Sequence, residues 1–385
     1  MNRLVGAPVL AHASATPALA PLPLLLLVVM GAVAAVATLV ARQSAVTQGS
    51  GLFLPSVPAQ VAGHGWSLRW IGQALGLAGA AALVMTAALG APAPAARMTH
   101  LALSDLWAWV AVLSLLFGPV WRLVNPLRPL AAALLRVSGD PAGETVRALP
   151  ATLGWWPAAA GLLATGWVAL VLPGRPIALL SLLAVLLLAH LGGVAVFGDR
   201  WLDRGDPIEA YSAMLGALAP IGRGAGGTLH VGSPRHRLAT LPDVPGTAAL
   251  VSALVAWYAT DAIVETEAWH ASVFPAGTWG LSRTLVLLAC AAVVGMLAAW
   301  ATGRHGLTPA LLPIAAGWAL GHHLAPLAPA LGLVGLAAGH LFAIVVAHDR
   351  AVLRYGAQAP AALLEFRALV VVLLVAGLTL RFGGL

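Results

Sequence analysis

Long apolar runs, free of charge or charged only near their ends, dominate the sequence. A bilayer core about 30 Å thick needs about 20 apolar residues of helix, so runs of this length predict membrane-spanning helices. Ten runs approach it, over residues 22–41, 71–90, 103–120, 151–172, 176–197, 247–263, 281–301, 307–324, 328–347 and 368–380. We therefore predict an all-α, polytopic transmembrane helix bundle of about ten spans, forming a single integral membrane domain over residues 1–385.

The composition excludes a soluble globular domain. Of the 385 residues, 60% are hydrophobic and only 9% are charged, whereas soluble proteins are about 25% charged. The net charge of +7 comes from 20 basic residues, all of them arginine, which are scattered between the apolar runs. Binding to nucleic acid needs a clustered basic face, so we expect membrane lipid, and no nucleic acid, as a partner.

The arginines also orient the bundle, because cytoplasmic loops collect positive charge. With the N-terminus outside, 15 of the 20 arginines fall in inner loops and 5 in outer ones. This bias predicts that both termini lie outside, in a bacterial-type cytoplasmic (inner) membrane. We expect residues 121–150 to form an interfacial cytoplasmic loop. Residues 198–246 should form a longer cytoplasmic loop with a short helix and a turn-rich segment.

Ionisable residues gather at the predicted outer ends of the sixth and eighth runs. Asp261 and Glu265 are four residues apart, so both face one side of a continuing helix, and His322 and His323 end the eighth run. Carboxylates and imidazoles from two helices suit Zn²⁺, Mn²⁺ or Fe²⁺, and such an ion could activate a bound water. We therefore predict a divalent metal site at these four residues. The alternative is a set of hydrated side chains at the level of the lipid headgroups.

Other polar residues are weaker candidates. Glu267 and His270 follow the sixth run and could act as a base beside the metal, while His12 and Asp105 share the predicted outer face. His190 and His340 lie at similar depth in two runs and could instead hold a b-type haem. The ninth run ends on His348, Asp349 and Arg350, a cluster typical of a helix C-terminus at the headgroups.

Four stretches occur in an order that resembles one family of multi-pass membrane proteins, the fenitrothion hydrolase-like proteins: WRLVNPLRPL, FGDRWLDRGDPIEAYSAMLGALAPIG, PGTAAL and AGHLFAIVVAHDRAV. The resemblance covers most of the chain and implies hydrolysis of organophosphate triesters. It also implies site roles for Asp261 and Glu265, for His322 or His323, and for the motif of residues 347–350. The family's N-terminal His-Gly and Asp-Leu-Pro pattern is incomplete here, because only His12 is kept; a partner membrane subunit could complete the site.

Three hypotheses follow for function. The first is an integral membrane, metal-dependent hydrolase of organophosphate triesters or similar apolar esters, with the metal at the outer face and an apolar small-molecule substrate entering from the lipid. The second is a membrane transporter or permease that uses the same polar cluster, with a pathway continuing inward past Asp105, His190 and His340. The third is a haem-binding or structural subunit of a larger membrane complex.

Overall fold

A computed structural model describes residues 65–139, 146–223, 229–271 and 278–383. The first predicted span, over residues 22–41, and the candidate His12 lie outside these ranges.

The described chain is almost entirely helical, which confirms the all-α part of the predicted fold class. In chain order the helices are α1 (Gly65–Leu89), α2 (Pro92–Phe117), α3 (Trp121–Val124), α4 (Leu127–Val137), α5 (Trp156–Val171), α6 (Pro176–Phe197), α7 (Leu202–Gly205), α8 (Pro207–Gly216), α9 (Pro234–Thr240), α10 (Thr247–Val264), α11 (Glu267–His270), α12 (Trp279–Gly303), α13 (Leu312–Leu324), α14 (Pro329–Tyr355), α15 (Ala359–Ala362) and α16 (Leu364–Phe382). Short 3₁₀ turns occupy Asp199–Trp201, Thr308–Leu311 and Gly356–Gln358. One antiparallel ribbon pairs β1 (Ile221–Arg223) with β2 (Leu229–Val231).

Six of the described helices are long and apolar enough to cross a membrane, so the chain is a membrane protein. They are α1, α2, α6, α10, α12 and α14. The other three predicted runs in the described ranges also coincide with helices, but these are shorter or more charged. α5 has 16 residues and α13 has 13, while α16 has 19 residues that include Glu365, Arg367 and Arg381.

The helix α10 forms the centre of the bundle. In its 18-residue apolar stretch, 78% of the residues are buried inside the protein, and it packs against α5, α12 and α13. Because it is enclosed by protein rather than lipid, α10 can carry polar side chains that find partners on neighbouring helices.

Two glycines bring α13 and α14 into close contact. A Cβ atom on Gly339 would lie 2.4 Å from the Pro313 carbonyl oxygen and 2.5 Å from the Gly317 Cα atom. Small residues let membrane helices approach to backbone contact, where van der Waals packing is strongest. The tight α13–α14 hairpin fixes the depth and rotation of the histidines at the end of α13.

The short helix α8 lies inside the bundle. Tyr211, Met214 and Leu215 are fully buried, and the helix packs against α2, α5 and α13. The segment between α6 and α10 therefore contributes to the core as well as to a surface loop. A Cβ on Gly216 would lie 2.6 Å from the Pro119 nitrogen, so this glycine allows α8 to pack against the end of α2.

Candidate functional site

Polar side chains meet where α10, α13 and α16 end, which we call the upper end of the bundle. The upper cluster consists of Asp261 and Glu265 from α10, His322 and His323 from α13, and Arg381 from α16. The predicted grouping of the first four residues is therefore present, with an arginine added. Asp261, His322 and Arg381 keep 28%, 16% and 16% of their side-chain surface, and Glu265 keeps 58%. The cluster thus runs from the surface into a largely enclosed interior.

Arg381 occupies the middle of the upper cluster. Its Nη1 atom lies 3.2 Å from Oε2 of Glu265 and 3.7 Å from Oδ2 of Asp261. Its Nη2 atom donates to Nδ1 of His322 at 3.2 Å and to the His322 carbonyl oxygen at 3.3 Å. One guanidinium therefore supplies the positive charge that the two carboxylates require.

This geometry does not fit the predicted metal site. Oδ2 of Asp261 and Nδ1 of His322 are 3.5 Å apart, a spacing that suits two ligands each about 2.1 Å from one tetrahedral ion. However, the Arg381 guanidinium contacts both atoms, and its positive charge would repel a dication. Among the described residues, no group of three or more His, Cys, Asp or Glu side chains could hold a metal ion.

The fourth predicted ligand, His323, faces another partner. Its Nε2 atom lies 3.0 Å from the hydroxyl of Tyr258, which is 3.3 Å from the hydroxyl of Tyr211 on α8. The Tyr211 hydroxyl also lies 3.5 Å from the Trp107 carbonyl oxygen, its acceptor. Tyr258 is 2% exposed and Tyr211 0%. We call His323, Tyr258 and Tyr211 the relay; it connects the half-buried upper end to the centre of the bundle.

Aromatic contacts hold the relay in place. The Tyr258 ring stacks on the His322 ring, with centroids 4.3 Å apart and planes 17° apart, and meets His323 edge-on. Trp107 packs against Tyr211 at 5.1 Å and against Trp257 at 5.2 Å. Burial raises the pKa of Tyr211, so its phenol stays protonated and can both donate and accept a hydrogen bond.

A second polar network surrounds the start of α8, which we call the inner network. Asn125 donates through Nδ2 to Oδ2 of Asp206 and to Oε2 of Glu209, each at 2.7 Å. Arg128 pairs with Glu209 and lies 2.5 Å from Oδ1 of Asp203. Asp206 also caps α8, accepting from the Ile208 and Glu209 backbone N–H groups. These interactions satisfy charges that would otherwise be too costly to bury.

Burial is the main influence on the inner carboxyls. It raises the pKa of Asp206, against the backbone hydrogen bonds from Glu209 and Ile208. Burial likewise raises the pKa of Glu209, against the hydrogen bond and charge of Arg128. For Arg128, burial lowers the pKa, but the hydrogen bonds and charges of Glu209 and Asp203 outweigh it and the pKa is raised. The inner network therefore combines a fixed cation with two carboxyls that hold protons more readily than usual.

Several predicted residues lie away from the upper cluster. Glu267 and His270 are exposed on the one-turn helix α11. Asp105 is exposed at the end of a π-helical turn in α2 and lies 3.3 Å from Nδ1 of His100. Glu267 and His270 thus follow the spanning helix α10, whereas Asp105 lies within α2.

The two mid-span histidines lie on helices that have different neighbours. His190 lies on α6, which packs against α1, α2, α4, α5 and α7, whereas His340 lies on α14, which packs against α9, α13 and α16. Nδ1 of His190 accepts from Nε1 of Trp201 at 3.2 Å. Nδ1 of His340 donates to the Leu336 carbonyl oxygen at 2.7 Å, and its Nε2 is buried without a hydrogen-bond partner among the described residues. The two imidazoles thus lie in separate helix interfaces.

The predicted cluster of His348, Asp349 and Arg350 does not end its helix, because α14 continues to Tyr355; it forms packing contacts at the opposite, lower end of the bundle. Arg350 is 1% exposed and donates through Nη1 to the carbonyl oxygens of Leu238, Ala239 and Leu241 at 2.7–3.1 Å. It also donates to the Gly306 carbonyl at 3.1 Å. These contacts tie α14 to the C-terminal end of α9, to Leu241 after it, and to the turn after α12.

The two residues before Arg350 share this setting. Asp349, 2% exposed, accepts from Nε and Nη2 of Arg235 at 2.5 and 2.8 Å. Nδ1 of His348 lies 3.5 Å from Oδ1 of the same carboxylate, beyond good hydrogen-bonding distance. A bidentate ion pair of this kind anchors α9 on α14.

The cleft beside the upper cluster is small. Tyr258, Trp318, His322, Leu336 and Arg381 line it, and its volume is about 10 Å³, roughly the space of one water molecule. An aryl phosphotriester is far larger, so it could enter only if α13 or α16 moved.

Sequence reasoning missed the central residues of this site. Arg381 follows the last predicted run, Tyr258 lies in the apolar run over residues 247–263, and Tyr211 lies in the predicted loop over residues 198–246, so no local pattern brings the three together. The signal that could have found the tyrosines is their rarity, because the chain has 3 tyrosines among 385 residues. Two of them meet at the centre of the bundle.

The comparisons with known proteins add no relative. No model of a known protein family matches the chain, and neither a curated protein nor a solved structure matches it.

Proposed function

We propose that this protein conducts protons through its upper half as part of a membrane transporter or permease. The observation that carries the proposal is the position of the Tyr258 hydroxyl, 3.0 Å from Nε2 of His323 and 3.3 Å from the hydroxyl of Tyr211. Groups that both donate and accept hydrogen bonds can pass a proton along such a chain, and relays of this type mark proton pathways in membranes.

The position of the relay in the bundle supports proton transfer between the upper end and the interior. His323 is half-buried at the upper end, and the hydroxyls beyond it lie in the interior. Tyr211 is on the same ten-residue helix as Glu209, two residues away, and burial raises the pKa of that carboxyl. Residues two apart on a helix point to different sides, so the relay itself ends at the Tyr211 hydroxyl in the centre of the bundle.

Proton flux into proteoliposomes tests the proposal. The purified chain is reconstituted with an internal pH dye, and a negative-inside potential is imposed with potassium and valinomycin. We expect flux above that of empty liposomes, reduced at least tenfold by Tyr258→Phe, which removes the hydroxyl and keeps the ring. Tyr355→Phe is the matched control, because Tyr355 is the third tyrosine and contacts His305 away from the relay. Flux equal to that of empty liposomes, or unchanged in Tyr258→Phe, would contradict proton conduction.

A hydrolase is the second candidate, and the one-water cleft is the observation that favours it. A water held beside Arg381 and His322 would lie next to a cation able to stabilise a developing phosphoryl oxyanion. The resemblance to fenitrothion hydrolase-like proteins adds the substrate class, an organophosphate triester or similar apolar ester. We derive no step through a metal, since Arg381 contacts the atoms that would bind it.

Release of 4-nitrophenolate from an aryl phosphotriester tests this second candidate. The assay is run without metal and with added zinc, manganese or iron, on the chain and on Arg381→Gln and His322→Ala. Hydrolysis by the unaltered chain that is lost in both variants would support the hydrolase. Hydrolysis that persists in both variants, or that does not exceed the rate in protein-free micelles, would contradict it.

We also propose the finer topology: ten spans, both termini outside, in a bacterial-type cytoplasmic membrane. Six long apolar helices and the 15-to-5 distribution of arginines support it. Alkaline phosphatase fused after residue 385 should be active, because that enzyme folds only outside the cytoplasm. Green fluorescent protein fused at the same position should be dark, and the opposite pair of results would reverse the orientation.

A further inference from the structure

A second cavity lies away from the relay, between α1, α4 and the end of α6. Its volume is about 610 Å³, within the range of about 300–1,000 Å³ typical of sites for small ligands. Arg128 of the inner network forms part of its wall. The cavity is therefore separate from the upper cluster and opens beside the interfacial helix α4.

Arginines define the chemistry of this cavity. The five that line it are Arg69, Arg128, Arg136, Arg147 and Arg200, against one carboxylate, that of Asp199. Glu209 and Asp203 already compensate Arg128. The other four are exposed, and within the described ranges none of them forms an ion pair with a carboxylate. An excess of about three positive charges in one cavity attracts an anion.

Backbone contacts position two of these arginines. The Arg147 N–H donates to the Val196 carbonyl oxygen at 2.8 Å, which fixes residue 147 against the end of α6. Gly198, at φ +72°, turns the chain out of α6 and toward Arg200. The site is thus held by the spanning helix, and guanidinium groups so arranged match the oxygens of a phosphate.

Apolar side chains share the wall with the arginines, Gln73 and Asp199. Leu135, Phe197 and Trp70 line the same cavity, and α4 presents Val137 with 88% of its surface exposed. An apolar wall next to arginines at the end of spanning helices suits a lipid better than a free phosphate ion, which would use the arginines alone. We propose that this cavity binds the phosphate headgroup of an anionic phospholipid.

Native mass spectrometry in detergent tests the proposal, with phosphatidylglycerol as the lipid and phosphatidylcholine and pyrophosphate as competitors. The double variant Arg147→Gln/Arg200→Gln should weaken binding of phosphatidylglycerol about thirtyfold, since each arginine near an anionic lipid contributes a factor of about five. The matched control, Arg175→Gln/Arg304→Gln, changes two exposed arginines outside the cavity and should bind as the unaltered chain does.

The outcomes separate the alternatives. Weakened binding in the cavity variant alone, without displacement by pyrophosphate, supports a lipid headgroup site. Equal binding in both double variants overturns the site, because the lipid would then be bound nonspecifically. Displacement by pyrophosphate at equal affinity overturns the choice of lipid in favour of a soluble phosphate. If the double variant does not elute as a single peak, the single variant Arg136→Gln is used in its place. Its binding of phosphatidylglycerol should be about fivefold weaker than that of the unaltered chain. Unchanged binding in this variant would also overturn the site.

Discussion

Nη2 of Arg381 donates a hydrogen bond to Nδ1 of His322 across 3.2 Å, although 59 positions separate the two residues. An imidazole nitrogen that accepts this bond has no proton and no free lone pair, so Nδ1 cannot bind a metal while Arg381 stays in place. The arginine also contacts Asp261 and Glu265. One side chain thus performs the charge compensation that the sequence suggested for a divalent ion.

Removing Arg381 should let the upper cluster bind a divalent ion more readily. In Arg381→Gln, the Asp261 carboxylate loses its internal cation and Nδ1 of His322 loses its donor, so we expect the variant to bind Co²⁺ through these two side chains, with water as the remaining ligands, and to show a change in the visible absorption of the ion. The unaltered chain and the control Arg175→Gln, which changes an exposed arginine, should show none. Stoichiometric metal in the unaltered chain, lost in Asp261→Asn, would instead support the metal-dependent hydrolase.

Arg128→Met should destabilise the fold strongly. The substitution leaves Glu209 buried without its cation, and breaking a buried ion pair costs about 3–5 kcal/mol. The loss is measured as a lower midpoint of thermal unfolding, followed by fluorescence-detected size exclusion in detergent. Arg304→Met, at an exposed arginine, is the control and should shift the midpoint little. Equal shifts in the two variants would show that the inner network contributes no specific stability.

Arg350→Lys should prevent the chain from folding stably, whereas Arg354→Lys should not. Arg350 is buried and contacts the carbonyl oxygens of Leu238, Leu241 and Gly306, and a lysine ammonium cannot reach all of them from one stem. Arg354 lies one helical turn away on α14, with 40% of its side chain exposed, and pairs with Asp243. We expect the yield of monodisperse protein to collapse for Arg350→Lys and to stay near normal for Arg354→Lys. Normal yields for both would remove the structural role given to Arg350.

Gly339→Ala should loosen the hairpin of α13 and α14. The added methyl would meet the Pro313 carbonyl oxygen at 2.4 Å, and overpacking of this kind costs about 1–3 kcal/mol. Gly79→Ala is the matched control, because a Cβ there meets nothing within 4 Å and alanine favours helix by up to about 1 kcal/mol. The midpoint of thermal unfolding should therefore fall for the first variant and stay or rise for the second. A fall of equal size in both would show that the close approach at Gly339 is unimportant.

The helices themselves were predictable from the sequence. Every predicted run within the described ranges coincides with a helix, since about 20 apolar residues without charge have no other stable conformation in a membrane. The six helices that are long and apolar enough to cross a membrane justify the membrane assignment. These properties are local: each depends on the hydrophobicity of one stretch of chain and on the thickness of a bilayer.

The partners of the polar side chains depended on the tertiary structure. His322 and His323 are adjacent, yet one contacts Arg381 and the other Tyr258, because each residue of a helix is rotated by about 100° from the last. In the relay, Tyr211 and Tyr258 are 47 positions apart in the sequence, and Tyr258 and His323 are 65 positions apart. Their contacts depend on the depth and rotation of three different helices. The sequence therefore determined which stretches form apolar helices, and only the packing of the helices brought an arginine between the carboxylates and His322.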